Sequence, residues 1–102
     1  MACECYFLDG ALEELDSIVA YLRSAADGPT AASSFLKELE RQIGITCENP
    51  EAHELSRVPK LASLGYRTML IKSYVALYFI QDNAVFIAHI FHQRQDYARL
   101  LF

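Results

Sequence analysis

The sequence predicts an α+β fold: an N-terminal strand and a helix hairpin packed on a small antiparallel sheet, closed by a short C-terminal helix. Three observations carry that prediction. Two stretches, Leu12 to Leu22 and Ala32 to Ile43, repeat apolar residues at intervals of three and four, the period of a helix with one buried face. Three later stretches, Tyr66–Lys72, Val75–Ile80 and Val85–Phe91, are rich in β-branched and aromatic residues, and the segments between them, Ser73-Tyr74 and Gln81-Asp82-Asn83-Ala84, read as turns. Two helices joined by a short connection pack as an antiparallel hairpin, and their apolar faces then need the sheet as a cover.

A chain of 102 residues that is 53% hydrophobic is expected to form one domain over residues 1–102. A chain of that size buries roughly 60–70% of the surface exposed when unfolded. No apolar run reaches the ~18 residues of a membrane span. The N-terminus holds Glu4 and Asp9 and no Lys or Arg before Arg23, unlike the basic start of a signal peptide, so the expected location is the cytoplasm. Cys3, Cys5 and Cys47 are an odd set, and Cys3 and Cys5 would leave one strand in the same direction, a poor geometry for a bridge between them. Reduced thiols are expected. No second Cys or His pair stands at ligand spacing, and His53, His89 and His92 do not supply one, so neither metal nor cofactor is expected.

The net charge of -4 is unevenly divided: residues 1–51 hold ten acidic and three basic side chains, and residues 52–102 hold three acidic and six basic ones. A protein that met nucleic acid over its whole surface would be basic throughout, which leaves only a local anion site on the C-terminal half.

Taken in order, Ala2–Leu8 has the pattern of a short strand, and Asp9-Gly10 ends it with a residue suited to capping a helix. From Ala11, Leu12, Leu15, Ile18, Val19 and Leu22 form the apolar stripe, and Glu13, Glu14 and Asp16 lie near the N-terminus, where the helix dipole favours acids. That acidic run reads as a solvated face. Asp27-Gly28-Pro29 stops this helix and starts the next, with proline tolerated in its first turn. Ala32, Phe35, Leu36, Leu39 and Ile43 give the second stripe, which ends by Cys47-Glu48-Asn49-Pro50. Glu51–Gly65 is expected to be a loop with little regular structure, paired in part to the sheet near Val58–Leu61, and its Arg57 and Lys60 either line a phosphate groove or are simply solvated. Along Tyr66–Lys72, Arg67, Met69 and Ile71 share one face. The last two strands are apolar on both faces, which predicts central positions and a second apolar face left for a partner chain or for a C-terminal helix, and open to self-association where neither covers it. Asp96 is placed to cap a final helix, Tyr97–Leu101.

The motifs Gly65-Tyr66-Arg67, Tyr74-Val75-Ala76-Leu77-Tyr78 and Ile87-Ala88-His89-Ile90-Phe91-His92-Gln93-Arg94-Gln95-Asp96-Tyr97-Ala98-Arg99-Leu100-Leu101, in that order behind a helix hairpin, resemble the RelE/ParE superfamily of type II toxin–antitoxin toxins, which includes plasmid stabilisation proteins. The resemblance spans nearly the whole chain. It implies a small α+β toxin neutralised by a cognate antitoxin whose segment wraps over it. It further implies one of two targets: the ribosome, where the toxin cleaves mRNA, or DNA gyrase, which it inhibits without catalysis. The leading expectation is a metal-independent mRNA endoribonuclease, with the gyrase inhibitor as the alternative and a degenerate antitoxin-binding member as a third.

Cleavage by a ribose 2′-hydroxyl needs a base, a cation on the pentavalent phosphate and an acid for the leaving oxygen. By position, Arg67 matches the superfamily's strand arginine at the scissile phosphate, and Arg94 is the second candidate for that charge. An imidazole, with its ordinary pKa of ~6.5, suits proton transfer and makes His92 the candidate acid or base. Tyr97 matches the C-terminal tyrosine that stacks on a base or lends its hydroxyl. Arg57, Lys60, Lys72 and Arg99 are the candidate RNA contacts. Each has a plainer alternative: Arg67 paired with Asp82 or Asp96, His92 capping backbone groups, Tyr97 packing in a core or interface. The chain's pI of about 5.2 departs from the strongly basic ribosome-dependent members.

Overall fold

The computed structural model describes residues 4–25 and 28–95. Strand β1 (Glu4–Phe7) leads into helix α1 (Asp9–Ser24), and helix α2 (Gly28–Glu48) returns along it. A short helix α3 (Pro59–Ser63) precedes the strands β2 (Arg67–Ile71), β3 (Tyr74–Gln81) and β4 (Ala84–His92). The sheet order is β1-β4-β3-β2. β2, β3 and β4 form an antiparallel meander, while β1 lies parallel to β4, with Glu4 opposite Ala84 and Phe7 opposite Ile87. The sheet is therefore mixed, a correction to the antiparallel expectation. A parallel neighbour requires a long crossover, and here α1 through β3 supplies it.

The helices cover one face of the sheet. Phe35 and Leu39 of α2 and Ala11 of α1 meet Met69, Ile71, Ala76, Tyr78 and Ile87, all at most 4% exposed. That arrangement follows from period: Met69 and Ile71 on β2 and Ala76 and Tyr78 on β3 alternate toward the helices, as the strand pattern requires. β4 breaks the period once. Leu77 pairs with His89 and Tyr78 with Ile87, so Ala88 is left over in a bulge. Beyond it the inward set changes from Val85 and Ile87 to Ile90, and His92 joins the helix side opposite Tyr74. The other face carries a row of ring contacts, Tyr6 on Phe86 at 5.4 Å, Phe86 on Phe79 at 5.2 Å and Phe79 on Tyr66 at 5.4 Å.

Local chemistry explains the boundaries. Leu8 holds the N-cap position of α1 and Asp9 falls inside the first turn, one place later than capping by Asp9 would put it; the carboxylate still faces the positive end of the helix dipole. Asp82 and Asn83 both have positive φ (50° and 66°), the requirement of a two-residue type I′ hairpin, and Asp and Asn are among the side chains that accept it best. Segment 51–65 contains α3 and an isolated bridge of Leu55 to Arg67, where an irregular loop was expected. Pro59 at the first helical position pre-sets φ, which lets so short a helix form. Cys47 is disulfide-bonded, against the expectation of reduced thiols, with its partner outside the described residues, while Cys5 is free and burial pushes its thiol pKa up. The expected C-terminal helix lies outside the described residues. No helix among those described is long and apolar enough to cross a membrane.

Candidate functional site

Two hollows are lined by some of the titratable side chains of the C-terminal half, Glu54, Arg57 and Arg94 in one and His92 in the other. The larger, about 660 Å³, straddles the outer edge of β2 and its face away from the helices. Segment 52–57 contributes His53, Glu54 and Arg57; β2 and β3 contribute Thr68, Leu70 and Val75; the turn after β4 contributes Gln93 and Arg94. This brings together two of the predicted cations, Arg57 and Arg94. The guanidinium of neither makes a hydrogen bond or ion pair with a described residue.

The second hollow, about 390 Å³, lies between α1 and the ends of β3 and β4, and its lining includes His92 with Glu13, Glu14 and Ser17. His92 sits in an acidic setting and lines a different hollow from Arg57 and Arg94. Its Nδ1 accepts the Arg94 backbone N–H at 3.2 Å, its own N–H donates to Gln95 Oε1 at 2.8 Å, and its ring meets Tyr74 edge-on at 5.3 Å. Those contacts order the turn after β4, the work of a backbone-capping side chain.

Arg67 lines neither of these two hollows. It shares the helix-side face of β2 with Met69 and Ile71, and its Nη1 donates to the His53 carbonyl at 2.7 Å. The register gives its distance from His92. Ile71, Tyr74 and His92 stand in one row across three strands, and Arg67 is four residues up β2 from that row. At about 3.3 Å per residue and about 4.8 Å per strand, the two Cα atoms are about 16 Å apart, with the core residues Met69 and Ile71 between them. The Arg67 guanidinium is engaged with the His53 carbonyl and His92 lines the hollow beside α1, so the two share neither hollow. Lys60 sits on α3, and Lys72 occupies the β2–β3 turn with φ of 57°. Tyr97 and Arg99 lie outside the described residues.

Two residues that the sequence reading treated as background organise these hollows. Glu14, read as part of a solvated face, accepts the Ile90 N–H at 3.0 Å and contacts His89 Nδ1 at 3.2 Å, which satisfies β4 beyond the point where β1 stops pairing with it. A carboxylate one turn into a helix that starts beside a strand edge was the available signal. His53 stacks edge-on to Tyr78 at 5.9 Å; its Nε2 is buried without a partner, and burial pulls its pKa down. The Tyr78 hydroxyl donates to the Pro50 carbonyl at 3.0 Å, and burial pushes the phenol up to about 12, with Arg67 opposing in part. Together these contacts pin segment 50–53 against the sheet.

The architecture, a helix hairpin on one face of a four-stranded mixed sheet, is shared with a solved structure described as the chromosomal ParDE TA system from P. aeruginosa. The match has a TM-score of 0.67 at 20% identity and covers 88% of this chain and 95% of that one. No curated protein matches the chain. The family is settled by sequence: a model described as the ParE toxin of type II toxin-antitoxin system, parDE, matches residues 6–97, and the chain belongs to that family. A toxin of such a module has a cognate antitoxin as its partner.

Proposed function

We propose that this toxin acts in the cytoplasm as a non-enzymatic inhibitor of DNA gyrase. One observation supports the reading: among the described residues, the candidate groups Arg67, His92 and Arg94 do not line one hollow. Arg67 is engaged with the His53 carbonyl, His92 faces the acids of α1, and Arg94 lines the hollow at the edge of β2. General acid–base catalysis demands the proton-transferring group and the phosphate-binding cation at one reacting centre, within about 3 Å of the atoms they serve. The Cα atoms of Arg67 and His92 stand about 16 Å apart with Met69 and Ile71 between them, and the two side chains have different surroundings. The acidic balance of the chain, -4, agrees, because docking on ribosomal RNA draws heavily on basic side chains. Inhibition by binding places no such demand on His92 or Arg67.

The test is growth arrest on induction of His92→Ala, Arg67→Gln and the double variant, each with its fold checked by circular dichroism. Full toxicity in all three is expected. Loss of a general acid or base lowers a rate by about a hundredfold to ten-thousandfold, so abolished toxicity in a folded His92→Ala protein with mRNA fragments accumulating in the parent would restore the nuclease reading.

A further inference from the structure

The state of the sulfur atoms is at odds with the compartment in which the toxin is proposed to act. Cys47 is disulfide-bonded, whereas Cys5 carries a free thiol. The chain holds three cysteines, Cys3, Cys5 and Cys47, so the partner of Cys47 is Cys3 by elimination. The cytoplasm keeps thiols reduced, and the disulfides that do form there are usually transient, catalytic or redox-sensing.

The position of the bridge gives it a mechanical role. Cys47 stands one residue before the end of α2, Cys5 is the second residue of β1, and both pack against the same core cluster. A strand period of two assigns positions 3 and 5 to one face. β1 is an edge strand of four residues with β4 as its one neighbour in the sheet. A link from position 3 to position 47 fastens the start of that strand to the end of α2 and closes a loop around the helix hairpin.

We propose that Cys3 and Cys47 form a reversible redox site, bridged by a low-molecular-weight disulfide of the glutathione class and reopened by the corresponding thiol, and that the bridge holds β1 to the end of α2. In the first step one cysteine, as thiolate, attacks a sulfur of the small disulfide. That S–S bond breaks, a mixed disulfide forms, and one small thiolate leaves and takes up a proton. The second cysteine thiolate then attacks the protein sulfur of the mixed disulfide, which closes the bridge and expels the second small thiol. Two protein thiols are oxidised and one small disulfide is reduced to two thiols. Cys5 stays out of the exchange, because burial disfavours its thiolate and the thiolate is the attacking form. The reversibility rests on the cytoplasmic location proposed above and not on gyrase being the target, and its test contains no gyrase, so either reading can fail alone.

The experiment equilibrates the full-length toxin in buffers running from oxidised to reduced glutathione, blocks the remaining thiols, and maps the bridges by peptide mass spectrometry. A Cys3–Cys47 bridge with Cys5 blocked is expected at the oxidised end, and three blocked thiols at the reduced end. Opening a loop of this size is expected to lower Tm by about 10–20 °C and to speed amide exchange across Glu4–Phe7. Cys5→Ala is expected to keep the bridge and the Tm shift, and Cys47→Ala to lose both. Should Cys47→Ala fail to fold, Cys3→Ala removes the same bridge with Cys47 left in place. A bridge between Cys5 and Cys47, a bridge that survives excess reduced glutathione, or equal Tm at the two ends of the series overturns the proposal.

Discussion

Replacing Tyr78 by phenylalanine isolates one hydrogen bond on which segment 50–57 depends. Tyr78 is 0% exposed and its hydroxyl donates to the Pro50 carbonyl at 3.0 Å; the substitution keeps the ring, and with it the edge-on contact to His53, and deletes only the oxygen. A net hydrogen bond is worth about 0.5–1.5 kcal/mol, and a carbonyl left dry without its donor adds to that, so Tyr78→Phe is expected to cost about 1–2 kcal/mol. In a domain of this size, that lowers Tm by roughly 5–15 °C. Urea denaturation and thermal melting followed by far-ultraviolet circular dichroism measure both. A second readout is the alkaline limb. Burial raises the folded-state phenol from 10.0 to about 12, so its contribution is complete below the ordinary phenol value and is lost as pH rises toward the folded one; the variant is expected to lose stability less steeply over that interval. An unchanged urea midpoint would refute the reasoning. So would a loss near 4 kcal/mol, the size of a large core truncation, since that would mean the ring's packing had failed as well.

Three further perturbations test other parts of the account. Glu14→Ala strands the Ile90 N–H and is expected to cost about 1–2 kcal/mol by urea denaturation, with Glu14→Gln recovering part of it because its amide oxygen still accepts. Burial holds His53 neutral in the folded state, so its contribution is full above the ordinary imidazole value and is lost as pH falls through the lowered one; Tm of the parent is expected to drop more from neutral pH to about pH 5 than Tm of His53→Phe, and parallel curves would contradict this. At Gly28 a Cβ would lie 2.2 Å from the Arg23 carbonyl oxygen, so Gly28→Ala forces backbone apart where the hairpin closes and is expected to destabilise by roughly 1–3 kcal/mol, read as a lower urea midpoint.

The strands were legible because Met69 and Ile71, and Ala76 and Tyr78, keep a strict period of two, and in β3 the neighbours Val75, Leu77 and Phe79 stay apolar as well, the pattern of a strand flanked on both sides. The helices were legible from stripes that reach Phe35 and Leu39. The direction of β1 was not, because four residues of alternating exposure are compatible with either pairing and only the register with β4 decides. The Ala88 bulge was equally hidden. One extra residue moves Ile90 and His92 to the side that strict alternation from Val85 assigned to His89 and Phe91, and no residue in Val85–His92 marks the slip. The chemistry-bearing types were visible, but their convergence depends on strand offsets. Arg67 at one end of β2 and His92 opposite the other end cannot be told from neighbours until the pairing is fixed. Arg57 and Arg94 line one hollow because segment 52–57 folds back along the edge of β2, a placement set by the Leu55–Arg67 bridge and by Tyr78 reaching Pro50.

The proposed function is inhibition of DNA gyrase by binding, with no role for Arg67 and His92 as a reacting pair. The most direct measurement adds purified toxin to DNA gyrase and relaxed plasmid and follows supercoiling, with a translation reaction beside it in which mRNA ends are mapped. Dose-dependent loss of supercoiling with intact mRNA, unchanged when His92→Ala and Arg67→Gln are combined, is the result the account predicts. Full supercoiling together with new mRNA ends that disappear in the double variant would contradict it.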